Sequence, residues 1–138
     1  MENSSDQWTP KSRSKKYYGI LSGLTVYIIV GSIGLYLLRT CWPAYAIASK
    51  DKSYTREMLL SRLLIGILAA AFSGTIATKI AQDKGKSAWL VGATVCCVAA
   101  YIHFCRVWQD YPAWYHAAYL LPIIPITGLS HYFIANRK

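Results

Sequence analysis

Residues 17–38 (YYGILSGLTVYIIVGSIGLYLL) run for 22 positions without a charge. As a helix this stretch is roughly 33 Å long at about 1.5 Å per residue, enough to cross a hydrocarbon core of about 30 Å. Three more runs come after it. Residues 58–78 carry one charge, Arg62, residues 87–105 hold His103, and residues 112–134 hold His116 and His131 near their two ends. Helices of about 17–39, 58–79, 87–107 and 112–134 would absorb most of the 138 residues. The expected fold is all-α: a polytopic membrane protein with four transmembrane helices in a compact bundle.

Composition supports this and removes its rivals. With 54% apolar residues the chain is too hydrophobic for intrinsic disorder, and four Cys do not make a disulfide-rich mini-domain. The net charge of +9 admits a nucleic-acid binder, but no soluble element carries a basic stripe with interleaved aromatics, so nucleic acid is not an expected partner. Secretory processing is a poor fit too, because the first apolar run far exceeds a signal h-region of about 7–15 residues.

The connections are short and polar. Residues 1–16 read as a basic, disordered cytoplasmic tail, and 17–138 as a single membrane domain. Residues 40–57 form the longest loop, with 44–49 suited to the membrane interface, while 79–86 make a basic turn in which Gly85 is available as a breaker. Pro112 suits the first turn of the last helix, where its missing N–H costs nothing.

Four spans put the basic residues in two unequal groups. Lys11, Arg13, Lys15, Lys16, Lys79, Lys84, Lys86, Arg137 and Lys138 share one side, against Arg39, Lys50, Lys52, Arg56, Arg62 and Arg106 on the other. The positive-inside rule then places both termini in the cytoplasm. Trp42, Tyr45, Trp108, Tyr111, Trp114 and Tyr115 read as an outer aromatic belt, and Tyr17, Tyr18, Trp89 and Tyr132 as an inner one.

In lipid, helices associate by close backbone approach. Gly66, Ala70, Gly74 and Thr78 recur every four residues on the second span, with Gly92 on the third and Gly19 and Gly23 on the first. This predicts a central second span. Pro122 and Pro125 interrupt the backbone hydrogen bonding of the fourth and predict a kink.

Helical rise brings several polar groups to one outer depth. Arg62 lies about 6 Å below the outer boundary, with His103 and His116 at a similar level and Arg106 and Asp110 just above. An ionisable group inside a membrane is a functional hypothesis by default, against which stand snorkelling of Arg62 and interfacial anchoring of the imidazoles. His103 and His116 could ligate haem across their short turn, but no Cys-x-x-Cys-His or carboxylate cluster joins them. No cofactor and no metal is therefore expected. Cys96 and Cys97 read as small packing residues; Cys41 and Cys105, at outer span ends, could pair as a disulfide. All six acids lie in tails or loops, which argues against a proton-coupled exporter, and no nucleophile or phosphate-loop motif is present, so enzymatic activity is not expected.

The leading functional expectation is a non-enzymatic accessory or assembly subunit of a membrane complex, or a homo-oligomer, whose partners are the bilayer and another membrane protein or itself. The alternative is a small transporter or channel using the pocket around Arg62, His103 and His116; a haem or thiol redox membrane protein is third.

From Arg62 onward, Gly66, Gly74, Ala77, Ala81, Lys84-x-Lys86, Gly92, the 111–116 segment (YPAWYH), Pro122, Pro125 and Gly128 resemble a family of small four-helix bacterial inner-membrane proteins of uncharacterised activity. The resemblance implies a multi-pass topology in the bacterial inner membrane and carries no activity. Those proteins often end their last helix in Gly-Gly, where this chain has Gly128-Leu129-Ser130.

Overall fold

The computed structural model describes residues 10–132. Among the described residues five helices succeed one another: α1 (Pro10–Cys41), α2 (Pro43–Asp51), α3 (Arg56–Ala81), α4 (Lys86–Cys105) and α5 (Ala113–Leu129), with a 3₁₀ turn at Trp108–Asp110. Among the described residues there is no strand. Three helical stretches, Arg13–Cys41, Arg56–Ala81 and Lys86–Cys105, are long and apolar enough to cross a membrane, the signature of a multi-pass membrane protein.

Two boundaries differ from the sequence expectation. Residues 10–16 of the expected disordered tail are helical, the start of a 32-residue α1; residues 1–9 lie outside the described residues. Pro10 sits at the first position, where no N–H is missed, and Lys15 Nζ donates to Gln82 Oε1 at 3.0 Å, joining α1 to the turn after α3. The 40–57 loop contains α2, whose Tyr45 and Ala48 bury against Met58 of α3. Pro43 opens α2, and Lys52 closes it in the left-handed conformation (φ 59°).

α3 is the central helix, in contact with α1, α4 and α5. Its small residues Ala69, Ala70, Ser73, Gly74, Ala77, Thr78 and Ala81 are all buried. Against them lie Gly19 and Gly23 of α1: a Cβ at Gly19 would stand 2.7 Å from the Ala77 carbonyl oxygen. On the opposite side, the Thr127 carbonyl and the Ser130 hydroxyl of the α5 end occupy the place a Gly74 side chain would need. Gly66 faces the Tyr119 ring, and Gly92 of α4 faces Ile124 and Thr127. Gly85 ends the α3–α4 turn at φ +93°, with Asp83 Oδ2 accepting from the Ser87 N–H at 2.8 Å to satisfy the exposed first turn of α4.

α5 begins one residue after Pro112 and continues through Pro122 and Pro125 to Leu129. It returns antiparallel along α4. Tyr115 and Tyr119 stack on His103 near the α4 end, while Gly128 lies against Trp89 and His131 against Gly85 at its start.

Candidate functional site

The site is built from the second half of α4 outward. α1 and α4 close on each other where a Gly23 Cβ would stand 3.0 Å from Val91 Cγ2. Beyond that point they diverge, and a cavity of about 490 Å³ fills the gap. Leu24, Tyr27 and Ile28 of α1 form one wall, and Thr94, Val95, Val98, Ala99, Ile102 and His103 of α4 the other. Arg62, Tyr111, Tyr115 and Tyr119 supply the polar inner end. Ile28, Val98 and Ile102 are exposed, so the mouth opens on the flank of the bundle.

Arg62 is held by phenols. Its Nη1 donates to Tyr111 Oη at 2.7 Å and to Tyr54 Oη at 3.4 Å. The guanidinium carbon lies 5.0 Å from the Tyr111 ring centroid and 5.5 Å from that of Tyr54. Burial raises the Tyr45 and Tyr111 phenols above their ordinary range while Arg62 opposes the shift. Among the described residues no carboxylate forms an ion pair with Arg62; Asp110 pairs with Lys52 at 2.7 Å.

His103 and His116 are both buried and face each other, Nδ1 to Nδ1, at 2.7 Å. His116 Nε2 lies 3.2 Å from the carbonyl oxygens of both Trp108 and Tyr111. Carbonyls only accept, so that nitrogen carries the hydrogen. In the neutral ring Nδ1 is then bare and accepts from His103 Nδ1–H. The same logic leaves Nε2 of His103 without a hydrogen. Behind Arg62 the Tyr27 and Tyr119 hydroxyls meet at 2.9 Å, and a smaller space of about 50 Å³ continues between α1 and α3 beside Gly31.

The structure thus brings Arg62, His103 and His116 into one cluster and leaves out the other two expected members. Asp110 turns to Lys52, and Arg106 is exposed, its backbone N–H closing α4 on the Ile102 carbonyl. Both sit in the loop, where water serves their charges better than an apolar cavity would. Facing imidazoles at 2.7 Å leave room for a proton and for nothing as large as iron, so the expected alternative of axial haem ligation does not fit this arrangement. Among the described residues no group of three or more His, Cys, Asp or Glu is placed to hold a metal. Cys41 and Cys105 are free and exposed, not disulfide-bonded; the divergence of α1 and α4 lies between the helices that carry them.

Of the phenols, helical rise places Tyr119 slightly deeper than the Arg62 layer, and the others were missed by sequence reasoning. Tyr27, with no role assigned by sequence, lies midway along the uncharged 17–38 run, a depth signal that could have singled it out. Tyr45, Tyr111 and Tyr115 read as belt residues because a belt and a binding wall have the same composition.

The fold and site define a multi-pass helical membrane protein with a flank crevice that ends in an arginine and a histidine pair. No protein-family model, no curated protein and no solved structure matches the chain.

Proposed function

We propose that this chain is an inner-membrane protein of four spans, both termini cytoplasmic, that binds a small ligand in the α1–α4 crevice as a carrier or receptor does. The observation that carries the reading is the convergence of Arg62 and His103 on one cavity with no carboxylate paired to Arg62 among the described residues. At about 490 Å³, with apolar walls and a few polar groups at its end, this cavity falls in the range of ligand sites. Closure of α1 on α4 at Gly23 and Val91 favours a binding site over a through-pore. Support for a fourth span comes from α5 itself, which runs back beside the whole of α4, and support for the orientation from the nine basic residues against six. The bacterial inner membrane rests on the family resemblance.

The accessory-subunit reading draws on α1, whose Leu21, Ile28, Ile29, Ile33 and Leu37 are uncovered; lipid or a second membrane protein would cover them. One experiment separates the two. Native mass spectrometry of protein released from mild detergent should show a small bound mass, stripped by Val98→Trp, which plugs the crevice mouth. Spectra with a stoichiometric protein subunit and no small mass would replace the ligand reading by the accessory one.

A further inference from the structure

The two polar groups at the crevice end ask for complementary things. Arg62 is half-buried and its hydrogen-bond partners are phenols. A guanidinium so placed gives up part of its hydration, which an anion would compensate, and no described carboxylate does so. His103 offers the opposite. Its Nδ1–H is committed to His116, and its Nε2 is a bare acceptor with no hydrogen-bond partner, on a ring that lines the cavity. A ligand that satisfies both carries an acidic hydrogen and becomes an anion on losing it. The mouth adds a third condition: Ile28, Val98 and Ile102 present an apolar, exposed rim on the bundle flank.

Resting on the ligand-binding reading above, we propose that the crevice binds a long-chain carboxylic acid drawn sideways from the bilayer. The acid passes the apolar rim in its neutral form, because an unpaired carboxylate in hydrocarbon is strongly disfavoured. At the inner end its O–H bond breaks. The proton goes to Nε2 of His103, and the electron pair stays on the carboxylate, which the Arg62 fork holds. A neutral acid and a neutral imidazole thus become a carboxylate and an imidazolium, with no change in net charge. The titratable groups around that imidazole are Arg62 from α3, Tyr27 from α1, Tyr111 from the loop, and Tyr115, His116 and Tyr119 from α5. None is a carboxylic acid, so the ligand supplies the anion. The acyl chain stays between α1 and α4, where Leu24, Val95 and Ala99 cover it.

Calorimetry tests this on the full chain in phosphatidylcholine nanodiscs, with empty nanodiscs as the blank. Oleate should bind saturably, one per chain. Since oleate arrives from water already ionised, binding should take up about one proton, read by repeating the titration in buffers of different ionisation enthalpy. Methyl oleate, with the same chain and no acid, should bind at least about tenfold more weakly, as should oleate to Arg62→Gln. His103→Gln should bind oleate without proton uptake. Equal binding of methyl oleate to the native chain, or undiminished proton uptake in His103→Gln, overturns the proposal. The methyl oleate comparison uses the native protein, so it decides even where a variant fails to fold. Loss of a co-purified mass in Val98→Trp together with no oleate binding would reject this ligand class and leave the crevice as a site for another.

Discussion

Arg62 is the one full charge inside an apolar run, and its surroundings account for how it is tolerated there. Phenols accept its hydrogen bonds and their ring faces meet the cation, a match for the planar guanidinium that a lysine ammonium would not reproduce. The short bond to Tyr111 at 2.7 Å should matter more than the 3.4 Å contact to Tyr54. Tyr111→Phe should therefore lower stability by about 1.5–3 kcal/mol, the range for a hydrogen bond to a charged group, and Tyr54→Phe by clearly less. Thermal unfolding of both variants in one detergent checks this; equal losses would mean that ring contacts, not the hydroxyls, hold the arginine. How much of this cluster was legible depends on what a sequence encodes about a helix. Rise per residue gives depth, and depth alone put Arg62, His103 and His116 at one level. Azimuth across different helices is set by packing, so nothing in the sequence said that the two imidazoles would meet at 2.7 Å. Nor could it say that Asp110 would reach back to Lys52, 58 residues away.

The four-residue spacing of small side chains marked which face of α3 would be close-packed, and that face is buried. The same spacing could not distinguish glycines that touch a neighbour from glycines that do not. Gly23 and Gly31 lie on one helix, yet a Cβ at Gly23 would press on Ala77 whereas one at Gly31 meets nothing within 4 Å. Gly31 faces the smaller cavity, whereas Gly34, one turn on, is packed on Ile65 of α3 again. The difference gives a paired prediction. Gly74→Ala drives a methyl into the Thr127 carbonyl and should cost about 1–3 kcal/mol as overpacking. Gly31→Ala should be neutral or stabilising by up to about 1 kcal/mol, since it removes only the helix cost of glycine. Melting temperature and folded yield in detergent check both; equal damage at the two sites would remove the contrast between packed and open faces. α2 was harder to foresee. Its nine residues are too short to form a helix stably alone, and it exists because Tyr45 and Ala48 can bury on Met58. Residues 10–16 are likewise helical because the long apolar part of α1 continues from them, and not through their own composition.

At the scale of the whole molecule, helix length and helix packing give different numbers of crossings. α5 has 17 residues, about 25 Å at helical rise, shorter than a typical hydrocarbon core of about 30 Å. Length alone would therefore leave three crossings, and the N- and C-termini on opposite sides. Packing argues the other way. α5 spans the same levels as α4, from the His103 stack to the Gly85 turn, and α4 is long enough to cross. A short helix tied at both ends can be accommodated by thinning of the bilayer and by interfacial side chains, at a fraction of a kcal/mol per Å. Four crossings put Cys41 and Cys105 on the outer face, where both thiols are exposed. In intact cells a membrane-impermeant maleimide should label single-cysteine forms retaining either one, whereas tags on the two termini should resist external protease and be cut in inverted vesicles. External cleavage of the C-terminal tag with an intact N-terminal tag would mean that α5 packs against α4 without crossing. The mouth of the crevice would then border a three-span bundle, and the nine-to-six division of basic residues would no longer describe its two faces.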